Sequence, residues 1–136
     1  MSSAEIARRL GNVSARTVTN RIDILVEHGI INICSIVNPD VLEYRVLADV
    51  FIKTQPGLLR EVAKNIAELP QVSYVVCATG DTDIIISVRA KNIEELYDFV
   101  TEKIGKTHGV IQTRTYLLPL VLKDNISWLP PDVVNQ

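Results

Sequence analysis

Three short runs carry side chains whose types and spacing can do chemistry. Gly80-Asp81-Thr82-Asp83 sets two carboxylates and a hydroxyl on a glycine turn. Exposed amides and carboxylates there can hold the ammonium and carboxylate of a small zwitterion; the same composition serves equally as a plain turn between strands. Paired carboxylates also suit acid–base catalysis, but no base or nucleophile accompanies them by spacing. Ser14-Ala15-Arg16-Thr17, followed by Asn20 and Arg21, places hydrogen-bond donors at the start of a helix. Free amides after Ser14 can hold a phosphate, and Arg16, Thr17, Asn20 and Arg21 can reach the base edges or backbone of a duplex. A helical hairpin with solvated polar residues shows the same pattern. Thr113-Arg114-Thr115 puts Thr113 and Thr115 on one strand face, either to hydrogen-bond a ligand or to satisfy strand propensity.

The remaining reactive residues are scattered. His28 and His108 each precede a glycine, Gly29 and Gly109, where a cation suits a helix C-terminus or a loop. Two histidines and two cysteines without zinc spacing imply no metal site. Neither a phosphate loop nor a dinucleotide fingerprint is present, so no cofactor and no catalytic residue is expected. Cys34 and Cys77 lie in apolar stretches of a chain with ample core residues, which predicts free, buried thiols rather than a disulfide.

The elements that must position these runs belong to a globular chain. Of its 136 residues 47% are hydrophobic and 22% charged, which excludes disordered and collagen-like classes. The longest uncharged apolar run, Tyr116 to Leu122, contains Pro119 and is too short to span a bilayer. The first residues lack an apolar signal core, so a cytoplasmic location is expected. Net charge is −2, unevenly spread: residues 1–31 sum to +1 and residues 32–136 to −3, the sign expected of a nucleic-acid-facing head on an acidic body.

Ser2 or Ser3 caps a short helix that is apolar at Ala4, Ile6, Ala7 and Leu10 and stopped by Gly11. Ser14 caps a second helix with Val18, Ile22, Leu25 and Val26 in one stripe, and Gly29 ends it. The outer face begins with Arg16 and Asn20 and continues through Asp23 and Glu27. Residues 30–37, rich in β-branched side chains, predict a strand, and Asn38-Pro39-Asp40 marks a boundary. A repeat follows at an offset of about 38 residues, as Val72 and Val110 show. Strands are expected over 46–54, 72–79, 84–90 and 110–118, with helices over 58–69 and 93–104. Asn92 and Glu95 have capping-box spacing at the second of these helices. The order βαββαβ is a ferredoxin-like arrangement, and the class is α+β. Residues 123–136, with Trp128 and Pro130-Pro131, are expected to form an irregular tail.

Two helices cover one face of such a sheet. The strands are nonetheless apolar on alternating positions of both faces: Ala48, Val50 and Ile52 against Leu47 and Phe51, and Ile84, Ile86 and Val88 against Ile85. The uncovered face is therefore expected to bury against a second copy, giving a homodimer or larger assembly.

Taken together the chain resembles the leucine-responsive regulatory protein/AsnC (Lrp/AsnC, feast/famine) family of transcription regulators. The likeness runs through Ala4–Gly11, Val13–Val18, Arg21–Leu25 and His28–Ile31, then Thr79–Asp83 and Gly109–Thr115. It implies a partial winged helix-turn-helix over residues 1–38 with a linking strand, and a ferredoxin-like effector-binding and oligomerisation (RAM) domain over 39–122. It further implies an amino-acid effector bound between dimers, at Gly80, Asp81, Thr82 and Asp83 with Thr113 and Thr115 nearby, and homodimers that assemble to tetramers or octamers. Double-stranded DNA would be met by Ser14, Arg16, Thr17, Asn20 and Arg21, with Arg8 and Arg9 on phosphate. The family places one further helix ahead of the segment matching Ala4. Without it Ile6, Leu10, Val18 and Ile22 are expected to lose cover, at ~1.5–3 kcal/mol per large side chain exposed. Three alternatives follow: a true start that lies upstream, a partly disordered head, or weakened DNA binding, and the last gives a second reading, an effector-sensing oligomer that does not bind DNA.

Overall fold

In the computed structural model, which describes residues 1–124, 126 and 128–131, the chain folds as two units, Met1–Val37 and Asn38–Gln136. In the larger unit the alternation seen in the sequence becomes a two-faced sheet. Strand β1 (Val46–Thr54) buries Ala48, Val50, Ile52 and Thr54 and turns Leu47, Asp49, Phe51 and Lys53 the other way. It pairs antiparallel with β3 (Ile84–Ala90) on one side and with β4 (Val110–Leu117) on the other; β2 (Val72–Cys77) closes the sheet beside β3, giving the order β2-β3-β1-β4. This is the ferredoxin-like topology expected, with the two apolar strands in the middle, where both edges of each are hydrogen-bonded.

Two helical segments cover one face. Helix α3 (Leu59–Ala67) buries Val62 and Ile66 four residues apart, so both lie over the sheet. Helix α4 (Ile93–Asp98) starts on Asn92, whose side chain accepts a hydrogen bond from the Glu95 amide, while the Glu95 carboxylate accepts one from the Lys91 amide. The chain then continues as a π-helical segment, Phe99–Ile104, which carries Phe99, Val100 and Ile104 into the core. The sequence predicts a single α-helix over 93–104; the wider turn differs by bonding the Gly105 amide to the Val100 carbonyl, five residues back. With these residues the core comprises Ile52, Ile66, Ile84, Ile86 and Ile104, all fully buried, and their neighbours. Gly109 shows how tight the seam is: its φ is +91°, and a Cβ there would sit 2.8 Å from the Val62 methyl.

The smaller unit is two helices. Helix α1 (Ser3–Leu10) has a complete capping box from Ser2 and Glu5 and ends on Gly11 in the left-handed conformation. Helix α2 (Ala15–Glu27) is capped by Ser14, whose hydroxyl accepts a hydrogen bond from the Thr17 amide at 3.1 Å. The Thr19 hydroxyl donates to Ser3 Oγ at 2.9 Å and ties the two helices together. Only Ala7 and Val18 are buried within them among the described residues. Of the side chains expected to lose cover, Leu10 is 60% exposed, Ile6 and Ile22 are half-buried, and Val18 stays buried at 6%, held between the helices.

Two expectations are corrected. Residues 30–37 form no strand: they pair with no other strand among the described residues, and β-propensity alone does not hold a ladder. Cys34 and Cys77 are free, as expected, but both are exposed rather than buried. Cys34 lies on that unpaired segment, and Cys77 ends β2, where the sheet gives way to the loop. The helix expected over 58–69 and the strands over 72–79 and 110–118 are shorter than expected, at 59–67, 72–77 and 110–117. The expected tail is described through residue 124 and at 126 and 128–131, where Trp128 is exposed; positions 125, 127 and 132–136 lie outside the described residues. No helix among the described residues is long and apolar enough to cross a membrane.

Candidate functional site

The Gly80–Asp83 loop joins β2 to β3 and is fastened to the end of β1. Gly80, at φ +122°, turns the chain where side chains are disfavoured. The Asp83 amide donates to the Ile52 carbonyl at 3.0 Å, and the Ala78 amide to the Asp83 carbonyl at 2.8 Å. Asp83 Oδ2 accepts from both the Thr54 amide, at 2.8 Å, and the Thr54 hydroxyl, at 3.3 Å. The Thr82 hydroxyl donates to the Ile52 carbonyl at 3.1 Å. Thr54 is the buried polar residue of the core, and these bonds supply its partners. Two of the four loop side chains thus hold the loop in place, which leaves Asp81 exposed at its tip with no hydrogen bond among the described residues.

Beside the loop, on the sheet face that α3 and α4 leave open, lies a hollow of about 170 Å³. Asp81 and Thr82 form its loop side; Phe51 and Lys53 of β1 and Gln112, Arg114 and Tyr116 of β4 form the rest. Phe51 and Tyr116 meet edge to face, ring centres 5.2 Å apart. The head groups of Lys53, Asp81 and Arg114 make no hydrogen bond or ion pair among the described residues. Elsewhere on this face the Ser87 hydroxyl donates to Asp49 across β1 and β3, at 2.7 Å.

Of the effector-binding residues expected from the sequence, Asp81 and Thr82 line this hollow, while Gly80 and Asp83 shape the loop behind it. Thr113 and Thr115 pair with Ile52 and Val50, so they share the helix-covered side of β4 and face away from the hollow. Gln112 and Arg114 lie within the Gly109–Thr115 run without being singled out as binding residues, and Lys53 and Thr54 belong to no motif that the sequence displays. The available signal is strand parity: Lys53 alternates with buried Ile52 and Thr54, and Gln112 and Arg114 alternate with the two threonines.

In the smaller unit Arg16, Asn20 and Arg21 are exposed on α2, and Arg8 and Arg9 are exposed in the last turn of α1. Ser14 and Thr17 are engaged with each other, hydroxyl to hydroxyl at 2.9 Å, as the cap of α2. The groups left with unspent donors on this surface are therefore the arginines and Asn20. Among the described residues no three His, Cys, Asp or Glu side chains gather as a metal site.

The family model of the Lrp/AsnC ligand binding domain matches residues 47–126. A protein of Pyrococcus furiosus named as an HTH-type transcriptional regulator is 37% identical over 123 residues, covering 90% of this chain and 82% of its own length. Among solved structures, Escherichia coli AsnC superposes with a TM-score of 0.77 at 26% identity, covering 96% of this chain and 86% of that one. A Neisseria meningitidis transcriptional regulator solved as an L-Met complex shares the fold, with a TM-score of 0.85 at 20% identity over 98% and 88% of the two chains. The relatives are transcription regulators and not enzymes. With its helix pair, its ferredoxin-like sheet and these likenesses, the chain belongs to the Lrp/AsnC family of transcription regulators.

Proposed function

We propose that this chain is a cytoplasmic, DNA-binding transcription regulator whose assembly and operator binding respond to a small-molecule effector, an amino acid. The observation that carries the reading is the exposed donor surface of α2, with Arg16, Asn20 and Arg21, on a chain whose residues 47–126 match a ligand-binding domain. Arg16 and Asn20 read base edges; Arg8, Arg9 and Arg21 meet phosphate; Ser14 and Thr17 hold the helix start that presents them. The effector sits at the Gly80–Asp83 loop; L-Met is the ligand named in the Neisseria structure. Thr113 and Thr115, on the far side of edge strand β4, join that site across the strand edge, where a neighbouring subunit has access. Open sheet faces pair in a homodimer, which assembles further to tetramers or octamers. An effector that binds one assembly more tightly shifts the spacing of the heads on DNA.

The test is operator binding across a salt series. Arg16→Ala with Arg21→Ala lowers affinity and flattens the salt dependence by about one unit of slope for each phosphate left without its cation. Unchanged affinity and slope would remove α2 from the DNA.

A second reading is favoured by one observation, the thin packing of α1 on α2 with Leu10 largely exposed. In it the chain senses effector without binding DNA. Its signature is an amino-acid-dependent rise in melting temperature with no mobility shift at any salt concentration.

A further inference from the structure

The chain leaves edge strand β4 as an uncharged run, Tyr116–Leu122, and most of that run is exposed. Leu120, Val121 and Leu122 stand in the open, the last at 89%, and Ile126, Trp128 and Leu129 beyond them are exposed as well. A contiguous apolar surface of this kind marks a contact with another molecule. At the root of the run lies a groove of about 160 Å³, lined by the apolar side chains of Val46, Leu47, Ile93, Leu117, Leu118 and Pro119, with Arg45 beside them. Leu118 also borders the open sheet face, together with Asp49, Phe51 and Tyr116, so the groove is continuous with that face.

We propose that the C-terminal arm, Leu120–Leu122 continued by Ile126 and Trp128, is exchanged between two copies of this chain, each arm seated in the other copy's groove. The inference rests on the reading that open sheet faces pair in a homodimer, and adds a second contact outside those faces. Three observations favour a second copy as the occupant. Arm and groove are both apolar and both belong to one chain, which is the self-complementarity that a two-fold contact requires. The groove runs into the sheet face that the twin covers, so a twin seated there brings its own arm alongside. The groove is lined by the residues just before the arm, so Leu120–Leu122 enter their own groove only by doubling back, and in the chain's own fold they remain exposed. Reach is no obstacle: the stretch from 119 to 128 extends to about 30 Å, and a four-stranded sheet is ~15 Å across.

The experiment follows sedimentation and tryptophan fluorescence of the intact chain over a dilution series. Trp128 is the only tryptophan and is 62% exposed in the single chain, so its emission moves to the blue as copies associate and returns on dilution. An arm variant, Leu120→Asp with Leu122→Asp, and a groove variant, Ile93→Asp, each weaken association by about tenfold or more, because a carboxylate then enters an apolar contact. All three residues are exposed, so both variants keep the parent's fold, checked by circular dichroism. Mixing the two variants restores part of the affinity: in the mixed pair the intact arm of one copy meets the intact groove of the other, a contact that neither variant makes with itself. A mixture no tighter than either variant alone overturns exchange, as does a blue emission already present in the lone chain, the mark of an arm docked on its own groove. An assembled parent whose Trp128 stays exposed and whose affinity neither variant alters overturns the arm contact while the sheet-paired homodimer stands. A parent that sediments as a single chain at every concentration overturns the homodimer reading and the arm with it.

Discussion

The two units are built on opposite terms. In the C-terminal unit, Ile52, Ile66, Ile84, Ile86 and Ile104 are fully buried between a sheet and its helices. In the N-terminal pair the buried residues are Ala7 and Val18, and the helices hold their shape through local devices: a capping box at Ser2, a cap at Ser14, a glycine stop at Gly11, and the Thr19–Ser3 bond. Helices of 8 and 13 residues are marginal alone in water, because nucleation is costly and propagation gains little. One unit is therefore stabilised by burial of apolar surface and the other by its ends. The difference teaches where stability resides: the ligand-binding fold is the platform, and the helical head is the part whose order is easiest to change.

Five substitutions break or sharpen that contrast. The largest effect belongs to Ile86→Ala, which empties a fully buried site in β3. It costs ~2–5 kcal/mol in urea-induced unfolding followed by sheet signal. Next comes Asp83→Ala, which strips the Thr54 amide and hydroxyl of their acceptor. We expect a loss of ~1–3 kcal/mol, whereas Asp81→Ala, two residues away, stays within about 0.5 kcal/mol. Equal costs for the two would mean that Asp83 does not anchor the loop. Ser14→Ala removes the cap of α2 and destabilises the helical head by about 1 kcal/mol, visible as faster amide exchange in 15–27 with exchange in β1 and β3 unaltered. Loss of protection in both units at once would show them to be one cooperative body. The smallest effect is that of Glu102→Gln, which breaks an exposed ion pair with Lys106 one helical turn away. The melting curve then moves by no more than the equivalent of about 0.5 kcal/mol.

The positions of the helices and sheet strands are readable because apolar periodicity is a local property. Val50 and Ile52 two apart declare a strand, and Val62 and Ile66 four apart declare a helix, wherever they stand in the fold. The caps at Ser14 and Asn92 are readable for the same reason, since each acts on an amide three residues ahead. The segment 30–37 shows the limit of such reading. Its residues favour extended backbone, yet a strand is a pairing, and no strand among the described residues pairs with it. The cysteines show a second limit: an apolar run around Cys34 says nothing of cover when the run joins no sheet and leaves Cys34 exposed.

The candidate site is readable only in outline. Glycine and aspartate at 80–83 announce a turn with carboxylates, but offer no means to tell Asp83, which serves Thr54, from Asp81, which has no bonding partner among the described residues. Nor do they indicate Lys53 and Arg114, which come from two strands and reach the hollow through the register Phe51 to Arg114. Neighbours along the chain are enough to establish which residues can be helix, strand or turn, and therefore the order βαββαβ and its repeat. Which carboxylate is locked, which is free, and which cations surround it depend on strand register, because register sets the distance between residues far apart in sequence and a shift of one position turns every side chain to the other face.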